Sequence, residues 1–305
     1  MRNRKLKDGK IMGKSIFYNL RRRLQVLALK MTSDEFMSRF YFRIVMGHPL
    51  NLINPQTLNE KLQWLKLFYF PNDNLATTCS DKYSVREFVI NNGMEEYLND
   101  LYGVWDNADD IDWDSLPEKF VLKCTHGCGY NILCDDKSKL DVHSTAKQLN
   151  AWLREDFSLF NAEPHYRSIA RKIICEKHLG NEIVDYKYFC FNGKVEFMYI
   201  ANGFIDESKG VITMFGGDGK RVPYRRTDYP EFDGATLPVG FEKMKKLSEK
   251  ISEHFPFVRV DWFEVDGRIY FSELTFSPCG AMMRIDPPEY DRKLGAMLDI
   301  SKHKK

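Results

Sequence analysis

The chain lacks the features that mark several large classes of protein. Within residues 1–30 the longest apolar run is VLAL, which is too short for a signal-peptide core or a membrane span. No internal repeat or low-complexity segment is evident, and the 43% hydrophobic and 14% aromatic content excludes an intrinsically disordered chain. We therefore expect the 305 residues to form one large domain or two intertwined domains, with ample material for a core.

Cysteine is present, but not in a pattern that forms a disulfide framework. The seven cysteines are odd in number and scattered, mostly within apolar runs: Cys79, Cys124, Cys128, Cys134, Cys175, Cys190 and Cys279. This usage is typical of a reducing cytosol and not of a disulfide-linked secreted domain. The sequence therefore predicts a cytoplasmic protein.

A strong net charge is also absent, because the formal charge is +2. The charge is unevenly distributed. Residues 1–30 hold ten Lys/Arg and a single acid, Asp8, so the remainder of the chain is net negative. A body that binds nucleic acid is therefore not expected.

The basic N-terminal segment, residues 1–35, contains an amphipathic helical pattern. Apolar residues recur at helical spacing between Ile16 and Lys30 with arginines between them: Phe17, Leu20, Leu24 and Leu27, with Arg21, Arg22 and Arg23. The favoured interpretation is a first helix that docks this apolar stripe on the body and leaves its arginines in solvent. The alternative is a helix in residues 1–30 that lies on an anionic membrane, as a peripheral contact at its inner face.

Residues 36–116 are predicted to form a helical N-terminal domain. Thr57 and Glu60 have capping-box spacing ahead of an apolar helix, and Ser80 precedes a second helix that includes Tyr83.

The acidic stretch NADDIDWDSLP ends this region and contains Asp110-Ile111-Asp112. Such a triplet can chelate the metal of a nucleotide-sugar transferase, but a solvated loop is its more common meaning.

After Pro117 the pattern changes to short strands with a glycine-containing loop between them. FVLKC is predicted as a strand that ends near Lys123, and the loop THGCGYN leads into a second strand, Ile132 to Cys134. Glycines let the backbone approach a ligand and aim N–H groups at anionic oxygens, and the lysine adds a positive charge. The loop is therefore a candidate triphosphate-binding loop. It lacks the P-loop spacing and precedes a strand, so it is neither a P-loop nor a Rossmann fingerprint.

The same stretch offers four zinc ligands by residue type: Cys124, His126, Cys128 and Cys134. Their spacings do not match the usual C-x₂-C pairs, and no second ligand cluster follows, so zinc is not favoured. His126 is instead expected to lie in the loop near phosphate or substrate.

Two hairpins follow. Asn192-Gly193 is a strong type I′ turn signal within VDYKYFCFNGKVEFMYI, and the strand before it presents Asp185 and Lys187 on one face.

The second hairpin runs from Phe257 to Thr275 and carries its polar side chains at odd-numbered positions. They are Arg259, Asp261, Glu273 and Thr275, while even-numbered Val258, Val260, Trp262, Tyr270 and Leu274 form an apolar face. An acidic pair beside an arginine can hold Mg²⁺ and phosphate.

The acids share a face only if the turn permits it. A two-residue Asp266-Gly267 loop would place the acids on opposite faces, unless a bulge compensated. We therefore predict a three-residue loop from Val265 to Gly267, with Glu273 opposite Arg259 and Asp261 opposite Phe271.

Taken in order, these segments resemble the ATP-grasp superfamily and, more closely, its TupA-like branch, which is associated with teichuronopeptide and other surface polysaccharide synthesis. The resemblance lies in TLNEKLQWLK, DKYSVREFV, FVLKCTHGCGYNI, IICEKHLG, DYKYFCFNGK, FPFVRVDWFEVDGRIYFSELTFSP and PEYDRKLG, over roughly residues 50 to 295. It implies an α+β ATP-grasp fold, in which subdomains at 117–180 and 181–300 grip ATP behind the helical N-terminal region.

The resemblance also implies roles for individual residues. Lys123 and Lys187 would clamp the phosphates, the loop Gly127, Cys128, Gly129, Tyr130 and Asn131 would cover them, Glu176, Lys177, His178 and Leu179 would read the adenine, and Asp185 would bind the ribose. Asp261, Glu273 and Thr275 would hold Mg²⁺, as two ions, and Arg259, with Lys187, would act in catalysis.

One position departs from the family pattern. Many ATP-grasp enzymes have asparagine where this chain has Thr275, and a hydroxyl is a poorer metal ligand than an amide oxygen. The second Mg²⁺ is therefore expected to bind weakly or through water.

The implied reaction is amide-bond formation by an ATP-dependent carboxylate–amine ligase acting through an acyl-phosphate. The plausible carboxylate belongs to a uronic acid or peptide of a surface glycan, and the plausible amine is an amino acid. Two alternatives stay open: an ATP-grasp kinase of a sugar hydroxyl, and a glycosyltransferase that uses Asp110 and Asp112.

Overall fold

The computed structural model describes residues 4–7, 10–11, 16–203 and 210–304, with the backbone alone at 4–7, 10–11 and 16–19. Its helices are α1 (Ile16–Met31), α2 (Asp34–Met46), α3 (Leu58–Trp64), α4 (Asn74–Ser80), α5 (Val85–Asn91), α6 (Val142–Leu153), α7 (Phe241–Ser252) and α8 (Glu289–Met297).

The strands are β1 (Arg4–Lys7), β2 (Lys10–Ile11), β3 (Leu101–Trp105), β4 (Phe120–Cys124), β5 (Asn131–Cys134), β6 (Ile173–Lys177), β7 (Asp185–Phe191), β8 (Lys194–Asn202), β9 (Val211–Gly216), β10 (Arg225–Arg226), β11 (Phe257–Val265), β12 (Arg268–Thr275) and β13 (Ile285–Asp286).

The strands form two principal sheets, as expected for two α+β subdomains. The first has the order β2-β1-β5-β4-β6-β3 and the second β12-β11-β7-β8-β9, while β10 pairs with β13. All pairs are antiparallel except β1 with β5. The region predicted as helical, residues 36–116, also contributes a strand, because β3 lies at the edge of the first sheet beside β6.

Each principal sheet has its own apolar core. Phe120 and Leu122 of the first sheet pack with Leu149 and Trp152 of α6. The larger core joins the second sheet to α7 and to helices α3, α4 and α5, and it includes the buried Trp262. Helices α3, α4 and α5 of the helical N-terminal region therefore pack against the second sheet.

Local signals account for the start of α3 but not for the start of α5. The predicted capping box is confirmed, because Thr57 Oγ1 accepts from the Glu60 amide at 3.1 Å and the Glu60 carboxylate accepts from the Thr57 amide at 3.1 Å. Ser80 instead ends α4, and Asp81 accepts from the Tyr83 amide at 2.9 Å in a tight turn. This turn delays the next helix to Val85, so the predicted helical position of Tyr83 is wrong.

The two-residue turn at Asn192-Gly193 is confirmed. Phe191 pairs with Lys194, and the turn residues have φ of 50° and 84°. Positive φ at both central positions is what a type I′ turn requires.

The three-residue loop predicted for the second hairpin is wrong. Val265 pairs with Arg268 across a two-residue turn, in which Asp266 and Gly267 have φ of 51° and 74°. A bulge at Ser272 then shifts the register, so Asp261 pairs with Glu273 and Trp262 with Phe271. The acids therefore do lie directly opposite each other, but the bulge brings them there and not the loop.

The same bulge exchanges two aromatic residues between the faces of β12. Phe271 packs edge-on to Trp262 in the core, with ring centroids 5.6 Å apart. Tyr270, which the even-numbered pattern assigned to the apolar face, pairs with Phe263 on the other face.

In the described residues, no helix is long and apolar enough to cross a membrane.

Helix α1 docks by a face other than the predicted one. Leu20, Leu24 and Leu27 are exposed, whereas Arg22 packs over the ring of Phe160 at 3.5 Å. The expected docking of this apolar stripe is therefore wrong, and so is the solvated position of Arg22, whereas Arg21 and Arg23 are exposed as expected. Phe17 of that stripe lies outside them.

Candidate active site

Two adjoining cavities lie beside the second sheet, and the first of them is also lined by the first sheet. The first is lined by Val121, Lys123 and Leu133 of the first sheet and by Phe263, Ser272 and Glu273 of the second, among others. The second cavity adjoins it, because both are lined by Lys82, Cys128, Asp185 and Glu273. These four residues mark the junction at which a group held in one cavity would meet a group held in the other.

One row of charged side chains crosses three neighbouring strands of the second sheet. Lys187 of β7 pairs in register with Asp261 of β11, which pairs in turn with Glu273 of β12. The lysine Nζ lies 2.6 Å from Asp261 Oδ2. The row is a direct consequence of register, since cross-strand partners project from the same face of a sheet.

Arg259 connects this row to the next cross-strand pair on the same face, which is Arg259 with Thr275. Its Nε donates to Asp261 Oδ1 at 2.6 Å, and its Nη2 donates to Asp261 Oδ2 at 2.6 Å. The same Nη2 lies 3.2 Å from Glu273 Oε1 and 2.9 Å from Thr275 Oγ1. The guanidinium therefore contacts all three residues that were predicted to hold metal.

Burial and mutual attraction shape the pKa values of this group. Burial alone would lower the pKa of Lys187, but Asp185 and Asp261 outweigh it and raise that pKa. Burial acts to raise the pKa of Glu273, yet Lys82, Arg259 and Lys187 lower it to about 2. Glu273 is therefore ionised at neutral pH and presents a negative charge at the junction.

Lys123 is positioned by an ion-pair chain on the first sheet. Its Nζ lies 2.6 Å from Glu176 Oε2, and Arg86 Nη1 lies 3.3 Å from Glu176 Oε1. Arg86 in turn donates to the Asn99 carbonyl at 2.8 Å. Lys123 thus lines the first cavity with its ammonium held in place by the ion pair with Glu176.

The glycine loop uses its two glycines for different reasons. A Cβ on Gly127 would lie 2.6 Å from the Phe157 ring, so only glycine fits there without a rearrangement. Gly129 has φ of 75°, a conformation that favours glycine. The loop thereby brings Cys128, Gly129 and Asn131 to the wall of the first cavity.

Two loop residues that were expected near the ligand are instead part of the core. The Tyr130 hydroxyl donates to Glu155 at 2.7 Å, and its ring lies tilted against Trp152, with ring centroids 5.4 Å apart. His126 is buried with Nε2 3.1 Å from the Trp152 carbonyl, and burial lowers its pKa to about 4. Their aromatic side chains fill the space under α6. Tyr130 could therefore contact a ligand only through its backbone.

The predicted linker divides between the cavity and its support. Lys177 and Leu179 line the first cavity. The Glu176 carboxylate binds Lys123, and His178 packs with its Nε2 3.1 Å from Asp135 Oδ1. Contact with adenine through the backbone stays a prediction.

Lys82 was not predicted as a site residue, although it lies within DKYSVREFV, one of the segments that carry the family resemblance. Its Nζ donates to the Gly127 carbonyl at 2.8 Å and lies 3.5 Å from Glu273 Oε2. It therefore bridges the glycine loop to the acidic hairpin. Its distance along the chain from both partners hides this role from sequence spacing.

Glu273 is better placed to bind a magnesium ion than Asp261 because it lines the junction, although Arg259 and Lys82 also lie near its oxygens and no three acidic side chains gather there among the described residues. Glu273 and Asp185 both line the junction, and carboxylate oxygens are preferred Mg²⁺ ligands. Asp261 is 0% exposed, and both its oxygens are held by Arg259 or Lys187. Binding of Mg²⁺ by Asp261 stays a prediction that requires one of those cations to move aside.

The alternative sites are not assembled. Asp110 and Asp112 are exposed, and they are not among the described residues that line either cavity. Across the described ranges, no three His, Cys, Asp or Glu side chains gather to hold a metal ion, so Cys124, His126 and Cys134 form no zinc site with Cys128.

Comparison with known protein families agrees with this geometry. The family model described as TupA-like ATPgrasp matches residues 60–299. The chain belongs to the TupA-like ATP-grasp family. The matched range of this TupA-like chain includes the glycine loop, both hairpins and Lys82, and it begins after α1 and α2.

Solved structures show a distant likeness. The D-alanine–D-alanine ligase from Bacillus anthracis complexed with ATP aligns at 16% identity and a TM-score of 0.42, over 66% of this chain and 56% of that one. The corresponding ligase from Helicobacter pylori aligns at 13% identity and 0.44, over 79% and 69%. The TupA-like chain thus spans a little over half the length of the first of these structures. No curated protein sequence matches it significantly.

Proposed function

We propose that this protein is an ATP-dependent ligase that joins a carboxylate to an amine. The observation that carries the proposal is the junction of two cavities, one suited to a nucleotide and one to a second substrate. Lys82 and Glu273 stand at that junction, where a phosphoryl group would pass from one cavity to the other. Family membership supports ATP as the phosphoryl donor.

The first cavity is the proposed nucleotide site. Val121, Leu133 and Phe263 belong to it alone and supply apolar walls for a base. Lys123 and the glycine loop supply cationic and backbone donors for phosphate oxygens. The triphosphate would therefore point towards the junction, with the base at the apolar end.

The second cavity is the proposed substrate site, and its charges suit a carboxylate. Arg226 lines it with its guanidinium held by Asp228 and lying 5.4 Å from the Tyr199 ring centroid. Asp228 occupies the Nε–Nη2 edge of this guanidinium, so Nη1 and the second Nη2 proton are the donors that would reach a substrate carboxylate. Arg259 and Lys187 line the same cavity nearer the hairpin and would stabilise charge on the transferred phosphoryl group.

The amine is proposed to bind near Glu163. This buried carboxylate lines the second cavity and accepts from Ser277 Oγ. Burial raises its pKa, with Ser277 acting in the opposite direction. A carboxylate of raised basicity can take the proton that the amine loses when it attacks the acyl carbon.

The proposed reaction has two steps. A carboxylate oxygen takes the γ-phosphoryl group and releases ADP, and the amine then displaces phosphate to form the amide. Bound Mg²⁺ would supply charge neutralisation on the phosphates. Because the TupA-like branch is associated with surface polysaccharides, we propose a uronic acid or peptide carboxylate of a glycan, or of its precursor, as the acceptor.

Isotope transfer tests the acyl-phosphate directly. The protein would be incubated with ATP, Mg²⁺, pooled amino acids and uronates carrying ¹⁸O in the carboxylate. The expected result is one labelled oxygen in the released phosphate for each amide formed. A phosphorylated sugar without free phosphate would overturn the ligase proposal in favour of a kinase.

Two variants locate the reaction. Glu273→Gln removes the charge at the junction and is expected to abolish turnover. Asp112→Asn, an exposed acid-to-amide control, is expected to leave turnover unchanged. Turnover that depends on Asp112 and not on Glu273 would instead support the glycosyltransferase.

A further inference from the structure

Helices α1 and α2 form a hairpin that is anchored to the body along one side. Leu29 of α1 and Met37 of α2 pack together with Ala162. Arg22 reinforces the anchor of α1, because its Nη1 lies 3.1 Å from Glu155 Oε2 and its Nη2 donates to the Tyr130 hydroxyl at 3.0 Å. The orientation of the hairpin on the body is thereby set.

The side of α2 that faces the body is also well defined. Phe42 is fully buried with Leu50 and Leu52. Asp34, at the start of α2, pairs with Arg167 at 3.0 Å. Both helices of the hairpin therefore have a fixed inner face, and their outer faces follow from helical geometry.

The outer faces are apolar on both helices. They carry Leu20, Leu24, Leu27 and Met31 on α1 and Phe36, Phe40 and Ile44 on α2, with exposed fractions from 51% at Phe40 to 77% at Met31. With 100° of rotation per residue, each set forms one stripe, which lies opposite Arg22 and Leu29 on α1 and opposite Phe42 on α2. Single exposed apolar residues are ordinary, but two neighbouring stripes of large side chains mark an interaction surface.

Basic residues flank these stripes. Arg21, Arg23 and Lys30 on α1 and Arg39 and Arg43 on α2 are exposed. The acids of the two helices are Asp34 and Glu35, which pair with Arg167 and with Arg39 respectively. The surface therefore combines an apolar ridge with a positive border.

We infer that the outer face of the α1–α2 hairpin binds the surface of an anionic phospholipid bilayer. Apolar side chains on an interfacial helix enter the boundary between headgroups and acyl chains, while flanking arginines and lysines contact anionic headgroups. A second copy of this chain fits less well, because apposing two such faces would bring like charges together. The face lies outside the proposed catalytic site, so the inference does not depend on the reaction.

Vesicle sedimentation of the full chain tests this inference. Binding is expected to vesicles that contain phosphatidylglycerol and to be much weaker with phosphatidylcholine alone. Leu24→Glu combined with Phe40→Glu should reduce binding at least tenfold, and Arg23→Gln combined with Arg43→Gln should reduce it and weaken its salt dependence. Val239→Glu, which replaces an apolar residue that is 99% exposed elsewhere, is the matched control and should bind as the parent does.

Two results would overturn the inference. One is equal sedimentation of the Leu24/Phe40 variant and the parent. The other is light scattering that shows a parent dimer which this variant converts to a monomer, with no vesicle binding by either. Far-ultraviolet circular dichroism and the melting temperature establish whether each variant is folded. The Leu24 and Phe40 side chains are exposed, so the fold is expected to tolerate their replacement.

Discussion

Lys123 shows how a residue that is predicted from its place at a strand end acquires a defined position. Glu176 holds its ammonium from the neighbouring strand, and Arg86 holds Glu176. The cation is thus preorganised before a ligand binds, which lowers the free energy cost of placing it at a phosphate.

Lys123→Met is expected to raise the KM for ATP by about tenfold or more, since a hydrogen bond to a charged group contributes ~1.5–3 kcal/mol. Steady-state ADP release at varied ATP concentrations measures this change. Lys119→Met, an exposed lysine just before the same strand, is the matched control and should behave as the parent does. An unchanged KM for Lys123→Met would remove this lysine from the nucleotide site.

Arg226 lines the proposed substrate site, and its exposed neighbour Arg225 offers a control. Arg226 is buried at the second cavity, while Arg225 is exposed and pairs with Asp286. Arg226→Gln is expected to raise the KM for the acidic substrate by roughly tenfold, because it removes a charge-assisted contact, and to leave the KM for ATP unchanged. Arg225→Gln should change neither, and the opposite pattern would contradict the assigned substrate site.

At the scale of elements, the β11–β12 hairpin combines a signal that was predicted correctly with one that was not. The alternation of polar and apolar residues placed Asp261 and Arg259 on the side away from Val260 and Trp262. The prediction of a three-residue turn was wrong because a bulge at Ser272 brings the acids together instead, and no residue pattern indicated that bulge. A bulge depends on how the strand meets its partner, so it is a property of the pair and not of one strand.

Gly267 tests the observed turn. Gly267→Ala is expected to reduce the free energy of unfolding by ~1 kcal/mol, because alanine is strained at positive φ. Asp266→Gly, at the other positive-φ position of the same turn, should not reduce it through the backbone. Urea denaturation of the three proteins measures both changes. Equal stability of Gly267→Ala and the parent would favour a different turn.

At the scale of the whole molecule, two buried histidines couple stability to pH. Burial lowers the pKa of His165 to about 3 and that of His126 to about 4. The unfolded chain therefore takes up protons below its ordinary histidine pKa, near 6.5, whereas the folded chain does not. Stability should be full above that pH and should fall as pH decreases towards 4, by on the order of 3 kcal/mol for each imidazole.

Urea midpoints measured between pH 7 and pH 4.5 test this dependence. His126→Gln is expected to unfold more easily at pH 7 and to lose less stability on acidification than the parent. His143→Gln replaces an exposed histidine and should keep the parent's pH dependence. Identical pH profiles for His126→Gln and the parent would contradict the assignment of His126 as a neutral buried residue.

Long-range packing also explains which site residues the sequence did not reveal. Lys82 reaches Gly127 and Glu273 only because helices α4 and α5 pack against the second sheet. Tyr130 and His126 lie within the glycine loop but fill the core beneath α6. Proximity in the chain could not separate residues that face the cavity from those that support it.

The sequence by itself determined the alternation of the strands, the capping box at Thr57, the turn at Asn192-Gly193 and the order of lysines and acids that identifies an ATP-grasp chain. Each of these depends on neighbours a few residues apart. Only the tertiary structure decided that Ser272 forms a bulge, that Asp261 is enclosed by Arg259 and Lys187, and that α1 turns Arg22 inwards and Leu20, Leu24 and Leu27 outwards. These outcomes depend on which segments pack together across long distances in the chain, and a local pattern of residues does not determine that packing.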